Sequence, residues 1–282
     1  MSGDVALMHC SSESVANSRS QPGELKPLNA LWIGEELGYL EQLCLISGLA
    51  AGHQVRLYSY EPKLLRGVPA GIELCDAAEV MPRARMVPYA GTTHYALGSN
   101  FWRYEMLGMD LGYWVDLDVL LLKPFDFDRD YVFGWESQGT INTAVMLAPP
   151  ESALVRDLRK VPDSDGCPEW YGPRRKLQFY FDRMRGRPKG VEYLRWGTFG
   201  PLMFTYLLKK HGLTGFASAP EVFYPLNWRD AQALYGPAAE VEAILTGETR
   251  AIHLYNSQLR ELAKSAPPAG SYIDKIRMKL GI

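Results

Sequence analysis

The sequence predicts a single α/β domain, with an open, mostly parallel sheet and helices on both faces. Two observations predict this class: a strand–helix–strand unit near the start, and later apolar runs of strand length that alternate with helical segments. The chain has 282 residues, of which 47% are hydrophobic, so it can bury one sizeable core. No internal repeat is visible, and one continuous sheet accounts for the order of the elements.

The opening unit begins with a buried strand over residues 29–34. A helix follows over residues 37–51, where small and apolar side chains recur at spacings of three and four, and residues 54–60 form the next strand. Two strands joined by a helix run parallel with a right-handed crossover, so this unit starts a parallel sheet. Further strands are expected over residues 72–75, 113–122, 131–136, 141–148 and 251–255, and further helices over residues 99–111, 152–160, 198–211 and 272–280.

The composition indicates which kinds of binding partner and which cellular compartment to expect. The formal net charge of −2 gives no reason to expect a nucleic-acid partner. The four cysteines include no Cys-x-x-Cys pair and suggest no disulfide framework, which favours a reducing cytosol. Residues 1–28 are Ser-rich and predict a flexible tail before a domain over residues 29–282. No signal peptide and no apolar run of membrane-spanning length is visible, so we expect a cytoplasmic protein, with peripheral attachment to the inner face of the membrane as the other option.

The strongest local signal is the pair Asp116 and Asp118, which interrupts an otherwise apolar run. Burying ionised carboxylates is costly unless a cation or hydrogen bonds compensate. Ligands of open α/β sheets bind beyond the carboxyl ends of the strands, and two acids at i and i+2 share a face there. Carboxylate oxygens suit Mg²⁺ or Mn²⁺. The pair therefore predicts a divalent metal site, against the alternative of two solvent-facing acids in a turn.

Four other residues are candidates for the same site. His253 lies in a short β-like segment and either completes the metal site or is a hydrogen-bonded core histidine; Asn256, three residues on, can add an oxygen ligand. Arg103 precedes the acids on a predicted helix and either binds a diphosphate or forms a surface ion pair. Trp32 ends the first strand and either stacks on a nucleobase or packs in the core.

Residues 170–196 form a basic and aromatic segment. Eight Lys and Arg side chains are interleaved there with seven aromatic rings, and only two acids lie among them. Such a segment can bind an anionic glycan, a lipid surface or nucleic acid, and a solvated helical face would have the same composition. We expect an acceptor-side or membrane-facing wall beside the donor site.

Five segments, taken in order, resemble glycosyltransferase family thirty-two. This family includes α-1,4-galactosyltransferases, yeast-type mannosyltransferases and bacterial capsule enzymes, and the pattern is also similar to the glucosylating clostridial toxins. Phosphate-loop, nucleophile-elbow and Rossmann glycine motifs are missing, which argues against an ATPase, a hydrolase or a dehydrogenase. The five segments are residues 32–34 (Trp-Ile-Gly), 99–104 (Ser-Asn-Phe-Trp-Arg-Tyr), 113–118 (Tyr-Trp-Val-Asp-Leu-Asp), 198–201 (Thr-Phe-Gly-Pro) and 252–256 (Ile-His-Leu-Tyr-Asn).

The resemblance implies a GT-A fold and a retaining, metal-dependent transfer of a hexose or N-acetylhexosamine to a glycan or lipid-linked glycan. The donor would be a nucleoside diphosphate sugar, expected to be a UDP-sugar, with Mn²⁺ or Mg²⁺ as cofactor. The resemblance implies these roles residue by residue: Trp32 near the base, Asn100 and Asn142 by the donor sugar, Arg103 by the sugar and diphosphate, Asp116 on the ribose and sugar, Asp118 on the metal, and His253 and Asn256 closing the metal side. The family usually has an acid where Asn100 stands.

Other classes use similar residues. A non-catalytic protein that binds a nucleotide sugar or a carbohydrate would keep the fold without turnover. A metal-dependent nucleotidyltransferase or phosphodiesterase would use the same acids, and a nucleotidyltransferase would release diphosphate in place of nucleoside diphosphate. A membrane-surface adaptor built on residues 170–196 would bind vesicles without turnover.

Overall fold

The structure is a computed structural model that describes residues 25–160, 166–187 and 190–282. The strands are β1 (Leu28–Leu31), β2 (Val55–Ser59), β3 (Glu73–Asp76), β4 (Tyr113–Val115), β5 (Val119–Leu121), β6 (Trp135–Ser137), β7 (Thr140–Ile141), β8 (Val145–Met146) and β9 (Ala251–His253). The helices are α1 (Tyr39–Ala50), α2 (Ala96–Gly108), α3 (Ala153–Lys160), α4 (Pro173–Met184), α5 (Met203–Lys210), α6 (Pro220–Phe223), α7 (Ala238–Glu242), α8 (Asn256–Leu259) and α9 (Tyr272–Leu280).

The central sheet has the strand order β3-β2-β1-β4-β8. Strand β1 pairs in parallel with β2 and with β4, and β2 pairs in parallel with β3. Only β8, at the edge of this sheet, runs antiparallel to its neighbour β4. The predicted open, mostly parallel α/β sheet is therefore confirmed, including the β1–α1–β2 unit that begins it.

Side chains of alternate strand residues enter two separate cores. On one face of β4, Tyr113 and Val115 pack with Leu45 of α1; on the other, Trp114 packs with residues of α2 such as Phe101 and Leu107. Residues of α3 and α5 extend the second core. Because successive strand side chains point to opposite faces, helices cover both faces of the sheet, as predicted.

A small sheet of β5 and β9 lies beyond α1. Leu43 of α1, Leu120 of β5 and Ile252 of β9 form a third core, to which Ile273 of α9 contributes. Helix α1 therefore buries side chains toward both sheets. Its Ser47 hydroxyl accepts a hydrogen bond from the Leu121 amide (2.9 Å), which ties the helix to β5.

Two predicted strands are each divided in two. The run over residues 113–122 breaks at Asp116, whose carbonyl accepts a hydrogen bond from the Val119 amide, so β4 and β5 enter different sheets. The run over residues 141–148 breaks at Asn142, whose side chain accepts a hydrogen bond from the Ala144 amide. At Asn142 the side chain thus competes with the strand ladder for a backbone amide, which hydropathy does not show.

Helix boundaries differ more modestly from the prediction. The helix expected over residues 99–111 is Ala96–Gly108, because Asp110 adopts a left-handed φ of 55°. The helix expected from Thr198 starts at Met203, after a wide turn in which Gly200 is not helical. The predicted tail falls mainly on residues 1–24, outside the described residues. Within the described ranges, no helix combines the length and apolarity needed to cross a membrane.

Candidate functional site

The two acids follow directly on β4, at the carboxyl edge of the central sheet. The Asp116 amide donates to the Ala144 carbonyl, which continues the pairing of β4 with β8 by one step. The Asp118 carbonyl accepts from the Leu254 amide, just after β9. The acids thus lie where the central sheet ends and the β5–β9 sheet begins, at the edge where ligands of such sheets bind.

Asp116, Asp118 and His253 form one cluster. Each offers a ligand atom, and these three atoms lie within 4.8 Å of one another. The Nε2 atom of His253 lies 3.1 Å from Oδ1 of Asp118, and the Asn256 amide donates to Oδ2 of the same carboxylate at 3.2 Å. Two carboxylates and one imidazole at this spacing can hold a divalent cation.

Arg103 lies beside the cluster and is 6% exposed. Its Nη2 atom pairs with Oδ1 of Asp116 at 3.2 Å, and its Nη1 donates to the Thr143 carbonyl at 2.7 Å. The guanidinium stacks over the Trp114 ring, with 4.6 Å from Cζ to the ring centroid, and the Trp114 indole also donates to Asp116. Arg103 is therefore a buried partner that orients Asp116, which excludes the surface ion pair considered for it.

Burial and neighbouring charges push the pKa values of the two carboxyls apart. Burial raises the pKa of Asp116 above its ordinary value, although Arg103 acts in the opposite direction. Burial also acts to raise the pKa of Asp118, but the charge and hydrogen bond of His253 outweigh it and leave that pKa lowered. The pKa of His253 is raised, because Asp118 outweighs the effect of burial on the imidazole. Asp118 and His253 thus stabilise each other as an ion pair.

The cluster opens into a cavity of about 540 Å³. Asn100, Arg103, Asn142 and His253 line it with the two acids, and Gly200 lines it next to the Asn100 side chain. Four of the five segments that resembled the glycosyltransferase family therefore meet at this cavity, although they are far apart in sequence.

The fifth segment lies at a second recess of about 270 Å³, which shares Asp116 and Asp118 with the cavity. Trp32, Glu41 and Asn256 line this recess. The indole Nε1 of Trp32 and the Oδ1 of Asn256 are buried and have no hydrogen-bond partner among the described residues. The Nδ2 of Asn256 donates to Glu41 at 2.6 Å. Buried polar atoms normally find partners, and these two polar atoms of the lining residues have none among the described residues.

Sequence reasoning missed two acids of the site. Glu41 stands in the first turn of α1, the helix that follows β1, and burial raises its pKa with a smaller contribution from Asp118. A position following a parallel strand was the signal that could have found it. Glu136 lines the cavity from β6 and accepts a hydrogen bond from the Tyr255 hydroxyl at 3.1 Å. Nothing in its local sequence distinguishes it.

Tyr255 fixes this side of the cavity. It is a non-glycine residue with a left-handed φ of 54°, and its ring lies 4.0 Å from that of His253, centroid to centroid. Such backbone costs of order 1–3 kcal/mol and is kept where surrounding contacts demand it. The residue links Glu136 to the cluster of Asp116, Asp118 and His253.

Comparisons with known proteins do not assign the chain to a family. No protein-family model and no curated protein sequence matches the chain. Among solved structures, it is similar to the apo structure of the WbbM bifunctional glycosyltransferase, with 9% sequence identity and a TM-score of 0.32. The match covers 92% of this chain and 51% of that one, so the chain spans about half the length of that structure. This likeness is too low to assign an activity, and membership of glycosyltransferase family thirty-two stays a prediction.

Proposed function

We propose that the protein is a metal-dependent glycosyltransferase that moves a sugar from a nucleoside diphosphate sugar to a glycan or lipid-linked glycan. The observation that carries the proposal is the cluster of Asp116, Asp118 and His253 at the floor of a cavity, beside a recess with unpaired polar atoms. A hexose or N-acetylhexosamine on UDP is the donor that the sequence resemblance suggests. In this proposal the arrangement of acids, sheet edge and cavity corresponds to a GT-A fold.

The residues present fit a divalent cation. Asp116 and Asp118 provide hard oxygen donors and His253 a nitrogen, which suits Mn²⁺ or Mg²⁺ better than a soft metal. The Oδ1 of Asn256 is a further buried acceptor near Asp118 without a partner among the described residues. When bound, the cation supplies positive charge that stabilises the diphosphate as it departs.

In the proposal the cavity and the recess bind different parts of the donor. The nucleoside lies in the recess, which Trp32 lines and where its indole N–H has no partner among the described residues. The sugar lies in the larger cavity against Asn100 and Asn142. The diphosphate then spans the boundary at the acids, which both spaces share.

Arg103 acts on the donor through Asp116. Because two of its nitrogens bind Asp116 and the Thr143 carbonyl, it holds the Asp116 carboxylate in one orientation. That orientation fixes where the donor hydroxyls can bind, and fixed geometry is a large part of a catalytic contribution.

The reaction proposed retains the anomeric configuration. The bond between the anomeric carbon and the diphosphate oxygen breaks, the acceptor hydroxyl oxygen bonds to that carbon from the same face, and a diphosphate oxygen takes the hydroxyl proton. Glu136 is, among the described cavity-lining residues, the one carboxylate outside the metal-binding cluster. Its negative charge stabilises the oxocarbenium-like centre. Inversion of the product, together with loss of transfer in Glu136→Gln, would instead make Glu136 the base of an inverting enzyme.

The test is a panel of nucleotide sugars assayed for slow hydrolysis, with Mn²⁺ and with chelator, which needs no acceptor. We expect one donor to release nucleoside diphosphate and Asp118→Ala to lower the rate by roughly 10²–10³-fold. Asp128→Ala, an exposed acid in the loop after β5, is the matched control and should keep the wild-type rate. Release of inorganic diphosphate would identify a nucleotidyltransferase, and binding without any turnover would identify a non-catalytic protein.

A further inference from the structure

Helix α4 presents an apolar stripe to solvent. The exposed fractions of Leu177, Tyr180, Phe181 and Met184 are 73%, 57%, 40% and 78%. At about 100° per residue, these four side chains fall within an arc of about 100° on one side of the helix. Exposed apolar patches that are grouped in this way mark interaction sites more often than scattered ones do.

The opposite side of α4 is less exposed than the stripe. The half-buried residues of the helix are Phe179, Asp182 and Arg183, which project away from the apolar stripe. Asp182 is engaged there by Gln178 (2.9 Å) and by Arg187 (3.2 Å). The less exposed side of the helix is therefore polar and aromatic, and the apolar stripe faces solvent.

Cations flank the stripe. By the same helical geometry Arg174 lies along one border and Lys176 along the other, and both are exposed. Residues 170–187 carry six cationic side chains and the single acid Asp182, whereas the whole chain has a net charge of −2. Positive charge is thus concentrated around an apolar surface.

We propose that α4 is an interfacial helix that binds the surface of a bilayer containing anionic lipid. An apolar stripe bordered by Lys and Arg matches the boundary between acyl chains and anionic headgroups, because the stripe enters the apolar layer while the cations remain with the headgroups. A nucleic acid would engage the cations but leave Leu177 and Met184 in water, so the chemistry favours lipid.

The start of α4 is anchored to the wall of the catalytic cavity. The indole of Trp170 donates to the Thr198 carbonyl (2.8 Å), and the Tyr171 hydroxyl lies 2.9 Å from the Thr198 hydroxyl. The two residues before Thr198, Trp196 and Gly197, line the cavity. If the glycosyltransferase function proposed above holds, binding through α4 brings a lipid-linked acceptor to the cavity mouth.

The test is co-sedimentation of the full chain with vesicles of phosphatidylcholine alone and of about three parts phosphatidylcholine to one part phosphatidylglycerol. Wild-type protein should bind the anionic vesicles, and binding should weaken between about 0.05 M and about 0.5 M salt. Leu177→Glu combined with Met184→Glu should weaken binding by roughly tenfold or more. Leu64→Glu combined with Met278→Glu is the matched control, since these side chains are 64% and 70% exposed elsewhere, and it should bind as wild type does.

Charge is tested separately by Arg174→Gln combined with Lys176→Gln, which should weaken binding to anionic vesicles by about tenfold at low salt. The proposal is overturned if the wild-type protein does not bind anionic vesicles, or if it binds both kinds of vesicle equally. It is also overturned if the control pair of changes weakens binding as much as Leu177→Glu with Met184→Glu. Binding of RNA in place of vesicles would also overturn it. Vesicle binding requires no turnover and donor hydrolysis requires no vesicle, so a failure of this proposal and a failure of the proposed function are read separately.

Discussion

Two buried histidines, one at each end of the central sheet, have different surroundings. His53 precedes β2 at the amino end, and both of its ring nitrogens are occupied: Nδ1 donates to the Lys26 carbonyl and Nε2 accepts from the Phe125 amide, each at 2.9 Å. His253 lies at the carboxyl edge, where Nε2 meets Asp118 while Nδ1 is buried without a partner among the described residues. The first arrangement satisfies both ring nitrogens, whereas the second leaves one ring nitrogen without a partner among the described residues.

The pKa directions follow the same division. Burial lowers the pKa of His53, and its bond to the Lys26 carbonyl only partly offsets this. Asp118 raises the pKa of His253 in spite of burial. A buried histidine whose hydrogen bonds fix one neutral tautomer stabilises the fold, while one paired with a carboxylate at a cavity floor is a candidate for chemistry.

Replacing each histidine by alanine should give the largest difference between the two regions. His253→Ala should lower metal-dependent donor hydrolysis by roughly 10²-fold, because a ligand of the cluster is lost. His53→Ala should leave that rate unchanged but lower the free energy of unfolding by about 2 kcal/mol, because the Phe125 amide loses its buried acceptor. Hydrolysis assays and urea unfolding of both variants measure this. Equal effects of the two changes on activity would remove the contrast.

Arg103→Met should have the next largest effect. The change removes the charged partner of Asp116 and leaves the Trp114 indole as its donor. We therefore expect kcat for donor hydrolysis to fall by roughly tenfold. Arg159→Met is the control, because Arg159 is itself exposed and its partner Glu105 keeps a second ion pair with Arg85. Steady-state kinetics of both variants provide the comparison, and wild-type kcat in Arg103→Met would show that Asp116 needs no orienting partner.

The basic segment should affect the acceptor and not the donor. Changing Arg183, Arg185 and Arg187 together to Ser should raise the KM of the acceptor several-fold, because an anionic or lipid-linked glycan loses its attraction to the segment. Donor hydrolysis should remain nearly at the wild-type rate. If hydrolysis falls by the same factor as transfer, the segment supports the fold or the donor site.

The smallest effect is the pH dependence of stability that His53 contributes. Its folded pKa is below its unfolded value of about 6.5, so the unfolded chain binds the proton more readily. The stabilisation is complete above about pH 6.5 and is lost as pH falls from there toward the folded pKa, by at most about 1.4 kcal/mol per pH unit. Urea unfolding of the wild type and of His53→Gln across this pH range gives two curves of unfolding free energy against pH. The difference between them is the contribution of His53. Parallel curves would contradict it.

Much of the fold could be predicted from the sequence. In β1, α1 and β2 the spacing of apolar residues changes from the two-residue period of a strand to the period of nearly four of a helix. The acids of the site were accessible because Asp116 and Asp118 interrupt an apolar run. That run concealed the turn between β4 and β5, since both strands are buried, each in a different sheet. Hydropathy records burial but not which sheet a strand joins.

The rest of the site depends on distant contacts. Glu41 and Asn256 are 215 residues apart in sequence and are joined by one hydrogen bond. Glu136 is held at the cavity by a hydrogen bond from Tyr255, which is also distant in sequence. The exposed stripe of α4 was also hidden, because a helix with buried rings has the same composition as one with exposed rings. Only the position of the helix on the protein decides which face meets solvent.

The most direct test of the central claim is the location of the cation. Crystals grown with Mn²⁺ and a nucleoside diphosphate, measured at the manganese absorption edge, would show the ion by its anomalous scattering. We predict one strong peak among the carboxylates of Asp116 and Asp118 and the imidazole of His253, and no peak there in crystals of Asp118→Ala. A nucleoside diphosphate bound with no manganese at these residues, or a peak at other residues, would contradict the account.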